Sequence, residues 1–454
     1  MKRKSVTRSA SDRDSRSESP TISQANEYPM STATHDTPPN GPAPLTYPDG
    51  LPDSVTPLGD SVPSLVRVLV AVILASGVLL GIGLTVDARQ FYHSYLFGYV
   101  LALDVSLGAL FWVMIHHVAD AGWSVGLRRV FENVSRAIIP LAVLFVPILV
   151  GIYTGNLHKW YEFIHKDPAT LHGHEVHLQH VKHAYFSTPF FLARVAIYFA
   201  VWIAYSVAMR NWSTKQDYVG GAALTKKMQW WAPSGVALLG LTATFFAFDV
   251  VMSLQYSWFS TIFGVYFWAG GIRGSLALGV LIVLALRASG RLRNTITMDH
   301  LHDAGKLMFG FTVFWTYIAF AQYFLIWYGN MPEETQFYLL RRNGAWYQMS
   351  MLLPILYFVV PFFLLLPQAH KRSPFWLAVA GTWILVMHAY DLYWQILPVL
   401  HQDTIHFHWL DVVAPVGMLS VVLMSAVWGF QRLPLIPIRD ARLNETIGYA
   451  NETP

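Results

Sequence analysis

The chain has 454 residues, of which 54% are apolar, 15% aromatic and 13% charged, with a formal net charge of +4. Soluble globular domains carry roughly 25% charged residues, so this composition excludes an ordinary soluble enzyme and points to lipid as the solvent; no nucleic-acid partner is expected. The absence of cysteine removes thiolate-held iron–sulfur clusters, the C-x-x-C-H haem attachment and disulfides from this chain.

The first 60 residues, typified by TRSASDRDSRSESPTISQ, hold too little apolar surface to offset the entropy of ordering. Residues 1–60 are expected to form a disordered cytoplasmic tail. Lys2, Arg3 and Lys4 open it, but no apolar stretch or cleavage site follows, so a signal peptide is not expected.

Residues 61–432 contain ten apolar runs at about 64–86, 92–116, 138–155, 187–209, 233–254, 258–287, 307–328, 346–366, 375–397 and 409–430. A run of roughly 20 residues crosses the hydrocarbon as a helix that satisfies its own backbone. The fold class expected is therefore all-α integral membrane. Pro140 and Pro147 in the third run, and Pro354 and Pro361 in the eighth, remove backbone donors and predict kinks. Gly270, Gly271 and Gly274 in the sixth would let a neighbour approach closely beside Arg273. Trp230, Trp231, Trp258, Trp327, Tyr328, Trp346 and Tyr347 suit an interfacial belt. Residues 433–454 read as a cytoplasmic C-terminal tail.

Orientation follows from Lys and Arg, because basic loops resist translocation. With the N-terminus cytoplasmic, inner segments hold 22 of the 31 basic residues and outer loops 6, while Arg67, Arg194 and Arg273 fall within spans. Both termini are expected on the cytoplasmic side.

The stretch LHGHEVHLQHVKHAYF (171–186) then lies in an outer loop, with His172 followed by His174, His177, His180 and His183 at every third position. On a helix three-residue steps drift by about 60° each, so adjacent pairs could share a metal and all four could not. HEVH is also not the zincin motif, whose histidines are four apart. A partner-facing loop with titrating imidazoles is the favoured reading, against a metal site or a proton-collecting rim. No metal site is expected. The only histidines in or at the ends of spans are His93, His116, His117 and His388, which disfavours a bis-histidine haem.

Ionisable groups inside spans are costly unless paired or wet. They form a ladder: Arg194, Asp249, Gln322, Tyr323, His388 and Asp391 toward the outer side, Asp104 and Arg273 near the middle, and His116, His117 and Arg67 toward the inner side. In one reading Asp249, Arg194, Arg273 and Asp104 are buried ion pairs that fix packing. In the other, Asp104, Asp249, Arg273, Asp391, His388 and Arg194 form half-channels for protons around a quinone head group. Quinol oxidation releases two electrons and two protons, so it needs an acceptor such as Asp249, Asp391 or His388 and a donor such as Arg194 or Tyr323. Midplane charges would also suit a secondary transporter, but no comparable pair of interrupted spans stands out. A purely structural anchor is the third option.

Three stretches, SYLFGYVLALDVSLGALFWVMIHHVADAGW (94–123), FAFDVVMSLQYSWFSTIFGVYFWAGG (246–271) and HDAGKLMFGFTVFWTYIAFAQYFLIWYGNMPEE (302–334), resemble the NrfD-type, polysulfide-reductase-like membrane subunits of alternative complex III, particularly the ActF type. The resemblance covers roughly residues 64–432. It implies two four-helix bundles, spans 2–5 and 6–9, flanked by spans 1 and 10, in the bacterial inner membrane. It also implies a quinol:cytochrome c or other electron-acceptor oxidoreductase in which this subunit is catalytic only within the complex and carries no covalent cofactor. Menaquinol or another quinone would be the lipid-phase reactant. Iron–sulfur clusters and c-type haems would sit in a periplasmic iron–sulfur subunit and cytochrome subunits, beside an ActC-like sister membrane subunit and lipids. The family's frequent Asp-Trp at the end of span 5 is Asp249-Val250 here, and the quinol site is usually given to the sister. Proton conduction or a structural role is therefore favoured for this chain, with a quinone site at Asp249, Tyr323 and Gln322 as the secondary expectation.

Overall fold

The computed structural model describes residues 45–450 except Thr46, Pro52 and His172. The expected tail lies outside the described residues as far as Pro44. Among the described residues every regular element is helical, and ten helices are long and apolar enough to cross a membrane. They are α1 (Pro63–Val86), α2 (Ala88–Val118), α3 (Gly122–Tyr153), α4 (Thr188–Val219), α5 (Ala222–Gln255), α6 (Phe263–Ala288), α7 (Met298–Gly329), α8 (Gly344–Leu365), α9 (Pro374–Val399) and α10 (Leu410–Arg432). The protein is an all-α, multi-pass membrane protein. α2–α5 and α6–α9 form the two bundles, and α1 pairs with α10 beside them.

α2 is the hub, buried along nearly its whole length and packed on α6, α10, α5 and α9. Its contact with α6 depends on glycine. A Cβ on Gly108 would collide with the Gly271 carbonyl, and one on Gly271 would collide with the Asp104 carboxylate, so the two backbones touch where Asp104 sits.

Several helices run past their apolar stretches: α3 begins at Gly122, α4 continues to Val219 and α7 begins at Met298. Hydropathy marks only the part of a helix that lies in hydrocarbon. The α3 and α4 extensions are held by buried ion pairs, with Arg129 2.6 Å from Asp217 and also 3.3 Å from Glu132, while Asp299 at the start of α7 pairs with Arg372 at 3.0 Å.

The prolines act as their chemistry predicts. α3 falls into three helical pieces, Val125–Ser135, Ile138–Val143 and Val146–Tyr153. The carbonyls of Leu141 and Leu144 at its breaks accept hydroxyls of α2, Tyr99 at 2.9 Å and Tyr95 at 2.7 Å. α8 widens to a π-helical turn at Ile355–Val359, directly after Pro354. α5 does the same at Ala247–Val251, with no proline to announce it.

Residues 433–450, expected as part of a cytoplasmic tail, are strapped across the face where α1 begins and α10 ends. Leu435 donates to the Val55 carbonyl at 2.8 Å, Ile438 to Asp217 at 3.0 Å and Thr446 to the Gly122 carbonyl at 2.7 Å. Arg128 holds Asp440 at 2.5 Å, and Arg442 pairs with Asp120 and Glu445. Burial pushes the Asp440 carboxyl up, but the Arg128 guanidinium outweighs it and holds the group below its ordinary 3.8. A depressed carboxylate stabilises the fold above its unfolded value and loses that contribution as pH falls through the folded one. Acidification should therefore free the strap only below pH 3.8. Asp440→Asn leaves Arg128 buried without this partner, and breaking such pairs costs about 3–5 kcal/mol. We expect a lower unfolding midpoint in detergent and tryptic cleavage at Arg439 or Arg442; continued protection would mean that the strap is held by its backbone bonds alone.

Candidate functional site

The ladder of buried groups resolves into two clusters of opposite character. The first is closed. Arg194 of α4 grips Asp249 of α5 with two parallel bonds, Nε to Oδ2 and Nη2 to Oδ1, both 2.9 Å. The Tyr198 hydroxyl adds a third at 2.8 Å, and the remaining Arg194 nitrogen donates to the Tyr185 carbonyl at 2.8 Å. The guanidinium also lies over the Tyr185 ring, 3.9 Å from its centre. Bidentate charge-assisted bonds of this kind are the strong ones. Asp249 sits on the π turn of α5, where its carbonyl accepts the Ser253 hydroxyl at 2.6 Å. π turns often mark functional positions.

The second cluster is open. Asp104 of α2 is 1% exposed, and its Oδ2 lies 3.2 Å from His388 Nε2 of α9. Neither carboxylate oxygen nor that nitrogen closes a well-formed hydrogen bond. The other ring nitrogen of His388 is 3.3 Å from the Tyr357 hydroxyl on the π turn of α8. Tyr357 in turn carries Arg273 of α6, whose guanidinium stands 3.8 Å above the ring and donates to the Tyr357 carbonyl at 3.0 Å. That carbonyl is available because Pro361, four residues on, has no N–H to offer it. Thr312 of α7 completes the Arg273 contacts at 3.4 Å, while Nε and Nη2 have no partner. Tyr266 donates to Asp391 nearby, and its ring leads through Trp315 to Tyr357, with centroids 5.4 and 3.9 Å apart.

Glycine shapes this cluster as well. Side chains at Gly270 and Gly274 would collide with the His388 ring, so the glycine group expected to admit a neighbour beside Arg273 admits His388. An apolar cleft of about 460 Å³ between α2, α5 and α6 has Asp104 in its wall, with Phe111, Thr244 and Trp268.

The remaining expected residues lie elsewhere. Gln322 is buried in α7 and bonds the Tyr338 hydroxyl at 3.2 Å and the Ser260 hydroxyl at 3.3 Å. Tyr323 is 46% exposed and packs edge-on to Tyr338. Neither makes a hydrogen bond with Asp249. Arg67 is exposed on α1 and reaches only the Pro63 carbonyl. His116 and His117 are buried at the far end of α2, twelve residues from Asp104, or roughly 18 Å along the helix axis.

The histidine stretch forms a helix, His174–His183, with His177, His180 and His183 exposed. Gln179 pins it by donating to the Phe163 and Lys166 carbonyls at 3.1 and 2.9 Å, and Lys182 donates to the Tyr256 carbonyl. Burial pulls the Lys182 amine down to about 8. Among the described residues no three His, Cys, Asp or Glu side chains stand together as a metal site. His172 is outside the described residues.

The tyrosines at 198, 266 and 357 were invisible to a search for charge, since a hydroxyl in an apolar run scores as an aromatic. No known family model matches this chain, and no curated protein sequence matches it.

Asp249→Asn removes the countercharge of a buried guanidinium, a change of about 3–5 kcal/mol in stability. Arg194→Met with Asp249→Leu removes both charges and should recover most of that loss. Thermal unfolding of the singles and the double decides it; a double variant as unstable as Asp249→Asn would show that the pair is more than compensated charge.

Proposed function

We propose that this chain is the membrane subunit of a respiratory quinol:electron-acceptor oxidoreductase of the alternative complex III type, and that its own task is to carry protons. On this reading it lies in the bacterial inner membrane with both termini cytoplasmic. Electrons leave through iron–sulfur and c-type haem partners, with an ActC-like sister beside it. Quinol oxidation releases protons as well as electrons, and a protein that moves them through hydrocarbon needs groups able to gain and lose one.

The observation that carries the reading is the open pair of Asp104 and His388. A carboxylate and an imidazole 3.2 Å apart, with neither hydrogen bond closed, can hand over a proton after a small rotation. His388 has the Tyr357 hydroxyl at its other nitrogen, and Arg273 supplies fixed positive charge beside them. The Arg194–Asp249 pair is the opposite case. Three donors, two of them on one fixed guanidinium, hold the carboxylate in place, so Asp249 serves packing and local electrostatics on this reading.

Vesicles holding the intact complex, supplied with quinol while proton release is followed, test this. Asp104→Asn should slow proton release across the membrane, followed apart from the two protons that quinol oxidation itself must yield, by about tenfold, or roughly 1.4 kcal/mol in the transfer barrier, with oxidation retained. Tyr198→Phe, which spares the ion pair, should change neither. Normal proton release by Asp104→Asn in an assembled complex rejects the proposal.

A further inference from the structure

On the face opposite residues 433–450, a second groove of about 470 Å³ lies between α8, α9 and the segment before α10. Its walls are apolar, with Met349, Leu352, Met387 and Phe407. It opens outward, where Phe407 is 71% and Leu352 46% exposed. Its volume falls within the roughly 300–1,000 Å³ typical of small-molecule sites, which combine apolar walls with a few convergent polar groups. Asp411 and Tyr393 are such groups here, 4% and 8% exposed.

Asp411 is built into a network that fixes its orientation. Burial, with His406 beside it, holds His401 below its ordinary 6.5, so the ring is neutral at pH 7. Its Nε2 lies 2.7 Å from the Gln90 side-chain carbonyl and must carry the proton. The amide of Gln90 is thereby turned to donate to Asp411 Oδ1 at 3.1 Å and to Ser94 at 2.9 Å, and Ser94 donates to the same Oδ1 at 2.6 Å. The His408 backbone donates to Oδ2 at 2.9 Å. A carboxylate offers about four acceptor positions, so one remains, on Oδ2. The Tyr393 hydroxyl faces the Asp411 carboxylate without closing a well-formed hydrogen bond to it, and its ring is fixed between Phe97 and Trp346, with centroids 5.6 and 5.9 Å away.

We propose that this groove binds the ring of a lipid-soluble hydroquinone, one hydroxyl of which donates to Asp411 while the Tyr393 hydroxyl bonds the same oxygen. The proposal rests on the quinol reading above and names a site apart from Asp104, Asp249, Gln322 and Tyr323. The chemistry favours a hydroxyl over other lipid head groups. A phosphate would set a second negative charge against a buried carboxylate. An ammonium would bring three donors to a wall with one free acceptor position. A phenolic hydroxyl on an apolar ring brings one donor, and the oxidised quinone, whose carbonyls only accept, faces a carboxylate that cannot donate.

Binding of 2,3-dimethyl-1,4-naphthohydroquinone to the full chain in detergent, kept anaerobic and followed by calorimetry, tests the site. Tyr393→Phe, Asp411→Asn and Leu352→Trp, the last filling the groove mouth, should each weaken binding by about tenfold, roughly 1.4 kcal/mol, and the oxidised naphthoquinone should bind more weakly than the reduced form. Wild-type binding by both Tyr393→Phe and Leu352→Trp overturns the proposal, as does displacement of the probe by phosphatidylethanolamine. If those variants bind normally while Asp104→Asn still loses proton release, only the groove assignment fails. If the groove behaves as expected and Asp104→Asn releases protons normally, only the proton reading fails.

Discussion

Hydrocarbon offers no partner to a charge, so every ionisable group in the bilayer core must be compensated by another part of the protein. The structure meets this constraint in two ways. Where α4 meets α5, Arg194 and Asp249 neutralise each other and the Tyr198 hydroxyl adds a third donor. Where α2, α6, α8 and α9 meet, Asp104, His388, Tyr357 and Arg273 share compensation across four helices without saturating any one of them. The first arrangement fixes a conformation, and the second is the one that the proposed proton transfer requires.

Backbone irregularity makes both arrangements possible. Asp249 and Tyr357 each sit on a π turn, where one extra residue rotates the side chain out of the α-helical register. Proline releases a carbonyl that Arg273 uses, and glycine brings the backbone of α6 against Asp104 and His388. The same devices open the breaks in α3 that Tyr95 and Tyr99 fill. Helix ends at the terminal face are tied instead by ion pairs, with residues 433–450 laid across them.

The ten spans were legible because length and apolarity are local properties, and so were the prolines that break α3 and α8. Helix ends were not, because the polar turns of α3 and α4 are stabilised by Arg129 of α3, which bridges its own Glu132 and Asp217 of α4. Of the buried charges, Arg194 and Asp249 pair as a structural reading suggests. Arg273 and Asp104 do not pair, since Arg273 turns to a carbonyl freed by Pro361 and Asp104 turns to His388. Depth alone could not separate Gln322, which faces inward, from Tyr323 and Arg67, which face outward, because helix rotation is set by packing. Asp411 lies at the edge of its span, and its orientation rests on Gln90 and Ser94, more than 300 residues away in sequence.

The most direct test of the division between a closed pair and an open one is infrared difference spectroscopy of the purified protein across pH, which reads carboxyl protonation at single residues. A carboxylic C=O band that changes with pH should vanish in Asp104→Asn, shift in His388→Gln and persist unchanged in Tyr198→Phe. A band that survives Asp104→Asn, or that disappears with the Arg194–Asp249 pair instead, would contradict it.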